Sequence, residues 1–194
     1  MIEKPYHHKN LRNELIEKGI ELVNNEGEKY FSLRKVAMAC GVSHAAPYSH
    51  FKSKEELLNA MQDYIMEQFF NLLETTIHSN LNSPDLLTRL GKDYVMFFCR
   101  NPHYYPFLFS RQNIETNFSL DADKISNNRP FELFKSTAIS VFKNYGLPEQ
   151  KIKERIIAMW ALVHGLAAFT TMKNVQYDED WEMKIEDILN ALSN

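Results

Sequence analysis

The residues whose chemistry is easiest to read lie between positions 32 and 54, SLRKVAMACGVSHAAPYSHFKSK. The stretch is rich in hydroxyls, imidazoles and cations. These are groups that donate to phosphate oxygens, neutralise them, or reach the edges of bases. Spacing gives them a scaffold. Ser32 stands just before Leu33, Val36, Ala37 and Cys40, an apolar stripe at helical spacing, which predicts a helix with Ser32 as its N-cap. Gly41 predicts its stop, because a left-handed residue after the last turn costs glycine nothing. Val42 can plug the corner, and Ser43 can cap a second helix. A short helix, a three-residue turn and a second short helix make a helix-turn-helix, a layout that sets the second helix in the DNA major groove.

Within that second helix, His44 is the long polar side chain of the first turn and a candidate for direct base reading, with a phosphate-facing or solvated role open beside it. Ala45 and Ala46 are small enough to admit a close approach to base edges and to touch thymine methyls. Pro47 removes one early helix bond and predicts an irregular start. Phe51 reads as core. Ser53 and Glu56 form a capping box, which puts Lys54 in the first turn of the next helix. There its ammonium and the free backbone N–H groups would make a phosphate-binding corner.

The spaced identities Leu33-Arg34-x-Val36-Ala37, Gly41-Val42-Ser43 and Tyr48-x-His50-Phe51-x-x-Lys54-x-x-Leu57-Leu58 resemble the TetR family of bacterial transcriptional regulators. The resemblance covers about the first sixty residues. A second echo, Trp160-Ala161-Leu162-Val163-His164-Gly165-Leu166, looks like the regulatory-domain signature of one TetR subgroup. The resemblance implies that Ser43, His44, Ala45, Ala46, Pro47, Tyr48 and His50 lie in or beside the groove, with Tyr48 and His50 on phosphate. The family often has a basic residue between those two. Ser49 stands there instead, and Arg34 and Lys35 on the preceding helix can partly replace it. With Ser32 and Lys54 these complete the expected DNA-binding set.

The expected fold is all-α with about nine helices: a three-helix DNA-binding domain over residues 1–53 and a helical effector-binding and dimerisation domain over residues 54–194. Apolar periodicity places the first helix near residues 7–25 and a long one from Lys54 to about residue 78. Ser83-Pro84-Asp85 predicts another start, Asn101-Pro102 a break, and residues 111–127 a polar loop. Arg129-Pro130 opens a helix ended by Gly146, Pro148 opens one to about residue 173, and Asp178 predicts the last cap.

Composition agrees with a soluble regulator. The net charge of −3 averages unlike halves: residues 1–60 hold nine Lys/Arg against eight Asp/Glu, and residues 61–194 hold thirteen against seventeen. DNA affinity would therefore rest on placed contacts more than on bulk charge, yet remain salt-sensitive. Cys40 and Cys99 read as reduced thiols. The N-terminal sequence has no apolar signal segment. The uncharged run over residues 156–172 falls short of a membrane span. A cytoplasmic protein without membrane contact is expected.

The C-terminal part should pair and sense. Ala158, Ala161, Gly165, Ala168 and Met172 form a stripe of mostly small residues at helical spacing, and Trp181, Ile185 and Ile188 share a side of the last helix. Two such helices per copy would build a four-helix homodimer interface, although packing within the monomer fits the same pattern. A dimer reads two half-sites of a palindromic operator. The resemblance places a small-molecule pocket among the aromatic-rich helices. Phe69, Tyr94, Phe97, Phe98, Tyr104, Tyr105, Phe109, Phe131, Phe134 and His164 are candidates to line it for a largely apolar effector, each also fitting plain core. No phosphate loop, nucleophile elbow, catalytic cluster or metal-ligand spacing is legible, so neither an enzyme nor a cofactor is expected. The alternative is a DNA-binding architectural or division-linked protein without an effector.

Overall fold

The computed structural model describes residues 11–111, 113–121 and 123–191. Among them lie eight α-helices and no strand: α1 (Leu11–Glu26), α2 (Leu33–Ala39), α3 (Lys54–Asn80), α4 (Leu86–Arg100), α5 (Tyr104–Ser110), α6 (Arg129–Asn144), α7 (Glu149–Thr171) and α8 (Trp181–Asn190). Two 3-10 turns, Glu28–Tyr30 and Ala46–Ser49, complete the described elements. The expected beginning of the first helix near residue 7, and the pair His7-His8, lie outside the described residues. Contacts divide the chain into two compact units, one ending at Ile65 and the other beginning at Met66.

In the first unit, Leu15, Ile16 and Ile20 of α1 are buried with Val36 and Ala37 of α2 and with Phe51, Leu57, Leu58 and Met61. Gly19 permits the close approach of α1 to α3: a Cβ there would meet Met61 Sδ at 2.9 Å. The end of α2 is a Schellman closure. Gly41 takes φ 66°, its N–H donates to the Met38 carbonyl at 3.1 Å, and the Val42 N–H donates to that of Ala37 at 3.0 Å. These satisfy carbonyls that the helix leaves without partners. Ser32 caps the other end, its hydroxyl accepting the Lys35 N–H. The Ser53 hydroxyl accepts the Glu56 N–H, while the Glu56 carboxylate reaches back to the Lys52 N–H at 2.7 Å, one residue before the N–H that a capping box would engage.

The second helix of the expected helix-turn-helix is the element the structure replaces, which leaves eight helices for the expected nine. Residues 43–50 wind as turns and the 3-10 segment Ala46–Ser49. Pro47 is the cause. An α-helix starting at Ser43 needs a residue-47 N–H for the Ser43 carbonyl, and proline has none. That carbonyl accepts from Ala46 instead, and Tyr48 and His50 continue the three-residue spacing to Ala45 and Pro47.

In the second unit α4 packs on α7 and α8, with α5 and α6 also on α7. Two starts shift from expectation. The α4 cap is Asp85, because Ser83 spends its hydroxyl on the Asp85 N–H in a preceding turn. The α8 cap is Asp180, whose carboxylate accepts the Glu182 N–H at 2.8 Å. The polar segment before α6 is tied down: Asn128 caps α6, and buried Lys135 donates to the Asn117 carbonyl and pairs with Glu132 at 2.8 Å. No helix among the described residues is long and apolar enough to cross a membrane.

Candidate DNA interface and effector cavity

Ser43, His44, Ala45 and Ser49 are exposed, and Tyr48 keeps 58% of its surface. Ala46 and His50 are half-buried. The turn therefore presents a row of small and hydrogen-bonding side chains to the outside. Pro47 does not belong to that row. It is buried, so its ring faces the unit's interior and is unavailable to a groove, contrary to the expected set. Tight 3-10 winding eclipses residues three apart, and burying Pro47 turns its neighbours outward.

Two of the cations near this turn, Lys35 and Lys54, have internal partners. Lys35 pairs with Glu26. Lys54 Nζ donates to the Glu28 carbonyl at 2.6 Å and lies over the Phe31 ring. Arg34 is exposed on α2. Cys40 donates its thiol to the Glu14 carbonyl at 3.7 Å, and burial pushes its pKa up to about 11. It is a packing thiol rather than a reactive one.

In the second unit most of the expected effector residues meet, but as a closed aromatic cluster. Phe69 stacks on Phe97 at 4.9 Å and meets Tyr94 edge-on at 5.0 Å. Tyr104 joins through Phe97, and Tyr105 and Phe109 through Phe98. His164 sits among them, 4.4 Å from Phe109 between ring centres, with Nδ1 2.6 Å from the Tyr94 hydroxyl. The Tyr105 hydroxyl donates to the His164 carbonyl at 3.2 Å. Burial lowers the His164 pKa to about 4 and raises that of Tyr105 to about 12, so both are neutral near pH 7.

Beyond Tyr94 and Trp160 lies a cavity of about 590 Å³. Residues of α3, α4, α6, α7 and α8 line it, together with Pro84, Tyr145 and Leu147. Of the expected effector set only Tyr94 and Phe134 reach it. Phe69, Phe97, Phe98, Tyr104 and Phe131 are instead buried packing residues, and Tyr105, Phe109 and His164 belong to the cluster. The reason is simple: rings that stack on one another satisfy their faces and leave no void, while the space opens where smaller residues such as Gly91, Ala158 and Val163 line the wall.

On α7, Ala158 and Ala161 are exposed and Gly165 and Ala168 are half-buried, while Phe169 and the C-cap Met172 each keep 48% of their surface. A Cβ built on Gly165 would meet nothing within 4 Å. On α8, Trp181 and Ile188 are half-buried, but Ile185 is fully buried within its own unit. Ile185 packs inward and leaves the expected interface set.

Residues 15–61 match the family described as bacterial regulatory proteins, tetR family. Residues 87–192 match the tetracyclin repressor-like C-terminal domain. The chain belongs to the TetR family. A nucleoid occlusion factor SlmA of Vibrio cholerae is 25% identical over 186 residues, spanning 90% of this chain and 93% of its own length. SlmA of Aliivibrio fischeri strain MJ11 is 30% identical over 94 residues, so the chain spans only about half (48%) of that relative. A tetR-family regulatory protein from Rhodococcus RHA1 shares the fold, with TM-score 0.71 at 16% identity and 93% of each chain covered.

Other residues stand out in this TetR-family DNA-binding regulator although they lie outside the expected sets. Arg155, Phe142, Thr88 and Gly91 line the cavity, and Ile157, Phe169 and Met183 are exposed and apolar on α7 and α8. The signal for the second group was present, since a solvent-facing helix with apolar residues beside small ones asks for a cover. None existed for the first, because a void is set by three-dimensional packing.

Proposed function

We propose that this TetR-family protein is a repressor that binds a palindromic operator as a homodimer and leaves it when a small, largely apolar effector enters the second unit. The observation that carries the reading is the outward row Ser43, His44, Ala45 and Tyr48, with half-buried His50 beside it, in a chain matched to the family in both its parts. His44 and the two alanines supply base contacts, and Ser43, Tyr48 and His50 hold phosphates together with Ser32, Arg34, Lys35 and Lys54. The exposed face of α7 around Gly165, with Trp181 and Ile188 of α8, is the pairing surface. The cavity supports an effector by its size, within the usual range of ligand pockets. Release is then a population shift toward a dimer whose two heads no longer match the half-site spacing. The protein would act in the cytoplasm and use no cofactor.

Selection of sites from random duplex DNA with the purified protein, at stated salt, tests this. Enrichment of a palindrome supports a dimeric sequence-specific regulator; salt-labile binding without sequence preference removes the operator. The near full-length SlmA match favours a second reading, a DNA-bound factor acting at nucleoid occlusion with no effector. That reading expects specific DNA binding that no small molecule reverses.

A further inference from the structure

The cavity of the second unit is chemically lopsided. Its inner wall is formed by buried Tyr94, Trp160 and Val163, and the Tyr94 hydroxyl is already held beside His164. Its single charged lining residue is Arg155, which is exposed at the rim. No aspartate or glutamate lines the space. Arg155 lies 5.7 Å from the centre of the Phe142 ring and makes no ion pair among the described residues. Its neighbour Glu154 is taken by Lys151 at 2.8 Å. A guanidinium is always charged and presents a planar fork of donors suited to a carboxylate or phosphate.

An apolar pocket with one unneutralised cation at its entrance is complementary to one kind of molecule. We infer that the cavity binds an aliphatic chain ending in an anionic head, the chain running inward toward Trp160 and Val163 and the head resting on Arg155. An anionic head would gain a charge-assisted hydrogen bond there that a neutral ligand lacks, and a cationic one would be repelled. Gly91 lets α4 approach α7 and α8 closely at the inner wall: a side chain there would press on Leu189 and Val163, whose carbons stand 3.3 Å from its would-be Cβ. Ala158 and Leu162 line the same cavity on the flank of α7 that bears the small-residue stripe, so a bound head group lies against the surface assigned to pairing. The inference thus deepens the effector reading and rests on it for its regulatory meaning, not for binding itself.

The test is direct titration of the full chain with a series of straight-chain carboxylates from hexanoate upward, beside the matching alcohols and acyl-coenzyme A thioesters. Affinity should rise about fourfold per added methylene, the equivalent of burying one CH₂, until the cavity is filled. The acid should bind about tenfold more tightly than the alcohol, the order expected of a charge-assisted hydrogen bond. In Arg155→Gln that acid-to-alcohol ratio should collapse toward one while alcohol affinity stays within about twofold. This residue is exposed, so the variant is expected to fold. Free acids binding more tightly than thioesters would identify a carboxylate head; the reverse would identify the phosphates. Absence of saturable binding by any member, no dependence on chain length, or an unchanged acid-to-alcohol ratio in the variant would each overturn the inference. Operator binding is measured separately. Chains that bind without releasing operator leave this inference standing and sink the effector reading; operator binding with no uptake of any chain does the opposite.

Discussion

Residues 43–50 and the surroundings of His164 both combine imidazole with tyrosine, and they differ in what those side chains already touch. Tyr48 is 58% exposed beside exposed His44. Tyr94 is 3% exposed, shares a 2.6 Å contact with His164, and is ringed by Phe69, Phe98 and Trp160. The first set stands open to solvent. The second has its partners within the protein. Residue type alone therefore does not mark a site: the same phenol is exposed in one unit and a buried, partnered strut in the other.

The largest test of this contrast is Phe98→Ala. Phe98 is fully buried and touches Phe69, Tyr94, Phe97, Tyr105 and Phe109. Truncation should cost about 3–5 kcal/mol in chemical unfolding. A loss below about 1 kcal/mol would mean that the cluster is loosely packed and could open for a ligand after all.

A pH titration of stability probes the same cluster more gently. Burial lowers the folded His164 pKa from 6.5 to about 4, while the unfolded chain keeps an ordinary imidazole. Between those values the unfolded state binds a proton that the folded state refuses. The contribution is intact above pH 6.5, declines as pH falls, and is gone by about pH 4, at no more than about 3 kcal/mol. His164→Phe should flatten that part of the profile. An unchanged slope would place His164 in contact with water.

Gly165→Leu addresses the outer face of α7. Since a Cβ there meets nothing within 4 Å, the protomer itself should tolerate the change. A homodimer packed on Gly165 should instead weaken by tenfold or more in sedimentation, about 1.4 kcal/mol. Equal dimer affinity would place the pairing surface elsewhere.

The sequence made the helices legible where local rules act alone. Ser32, Gly41 and Ser53 cap or close helices at the positions that their types predict. It failed where one bond or one void decided. Pro47 was visible as an irregularity, but whether the chain recovers into an α-helix depends on whether the Ser43 carbonyl finds another donor, and Ala46 supplies it. The aromatic residues gather, but on one another: apolar rings pack together, so the cavity formed beside them, where Arg155 and Gly91 carry no periodic signal.

Tyr48→Phe removes one hydroxyl from a side chain that packs little. Stability should stay within about 0.5 kcal/mol. Binding should weaken by roughly fivefold on every DNA sequence, near 1 kcal/mol for one lost hydrogen bond. A change in the preferred sequence would move Tyr48 from phosphate to base.

The smallest effect separates intramolecular pairing from DNA contact at Lys35. Its ion pair with Glu26 leaves both side chains 43% exposed, so Lys35→Gln should change stability by no more than about 0.5 kcal/mol. Two roles then give opposite results on DNA. If Lys35 serves only to tie α2 to the end of α1, then Lys35→Gln and Glu26→Gln both leave the salt dependence of DNA binding unchanged. If it also neutralises a phosphate, Lys35→Gln lowers the slope of log K against log salt by about one. Glu26→Gln then strengthens binding, because the carboxylate no longer competes for the ammonium. The second pattern is the one expected, since Ser49 offers no cation between Tyr48 and His50 and this part of the chain has little charge to spare. It would show that an internal ion pair can hold a DNA contact in waiting, which neither exposure nor pairing alone reveals.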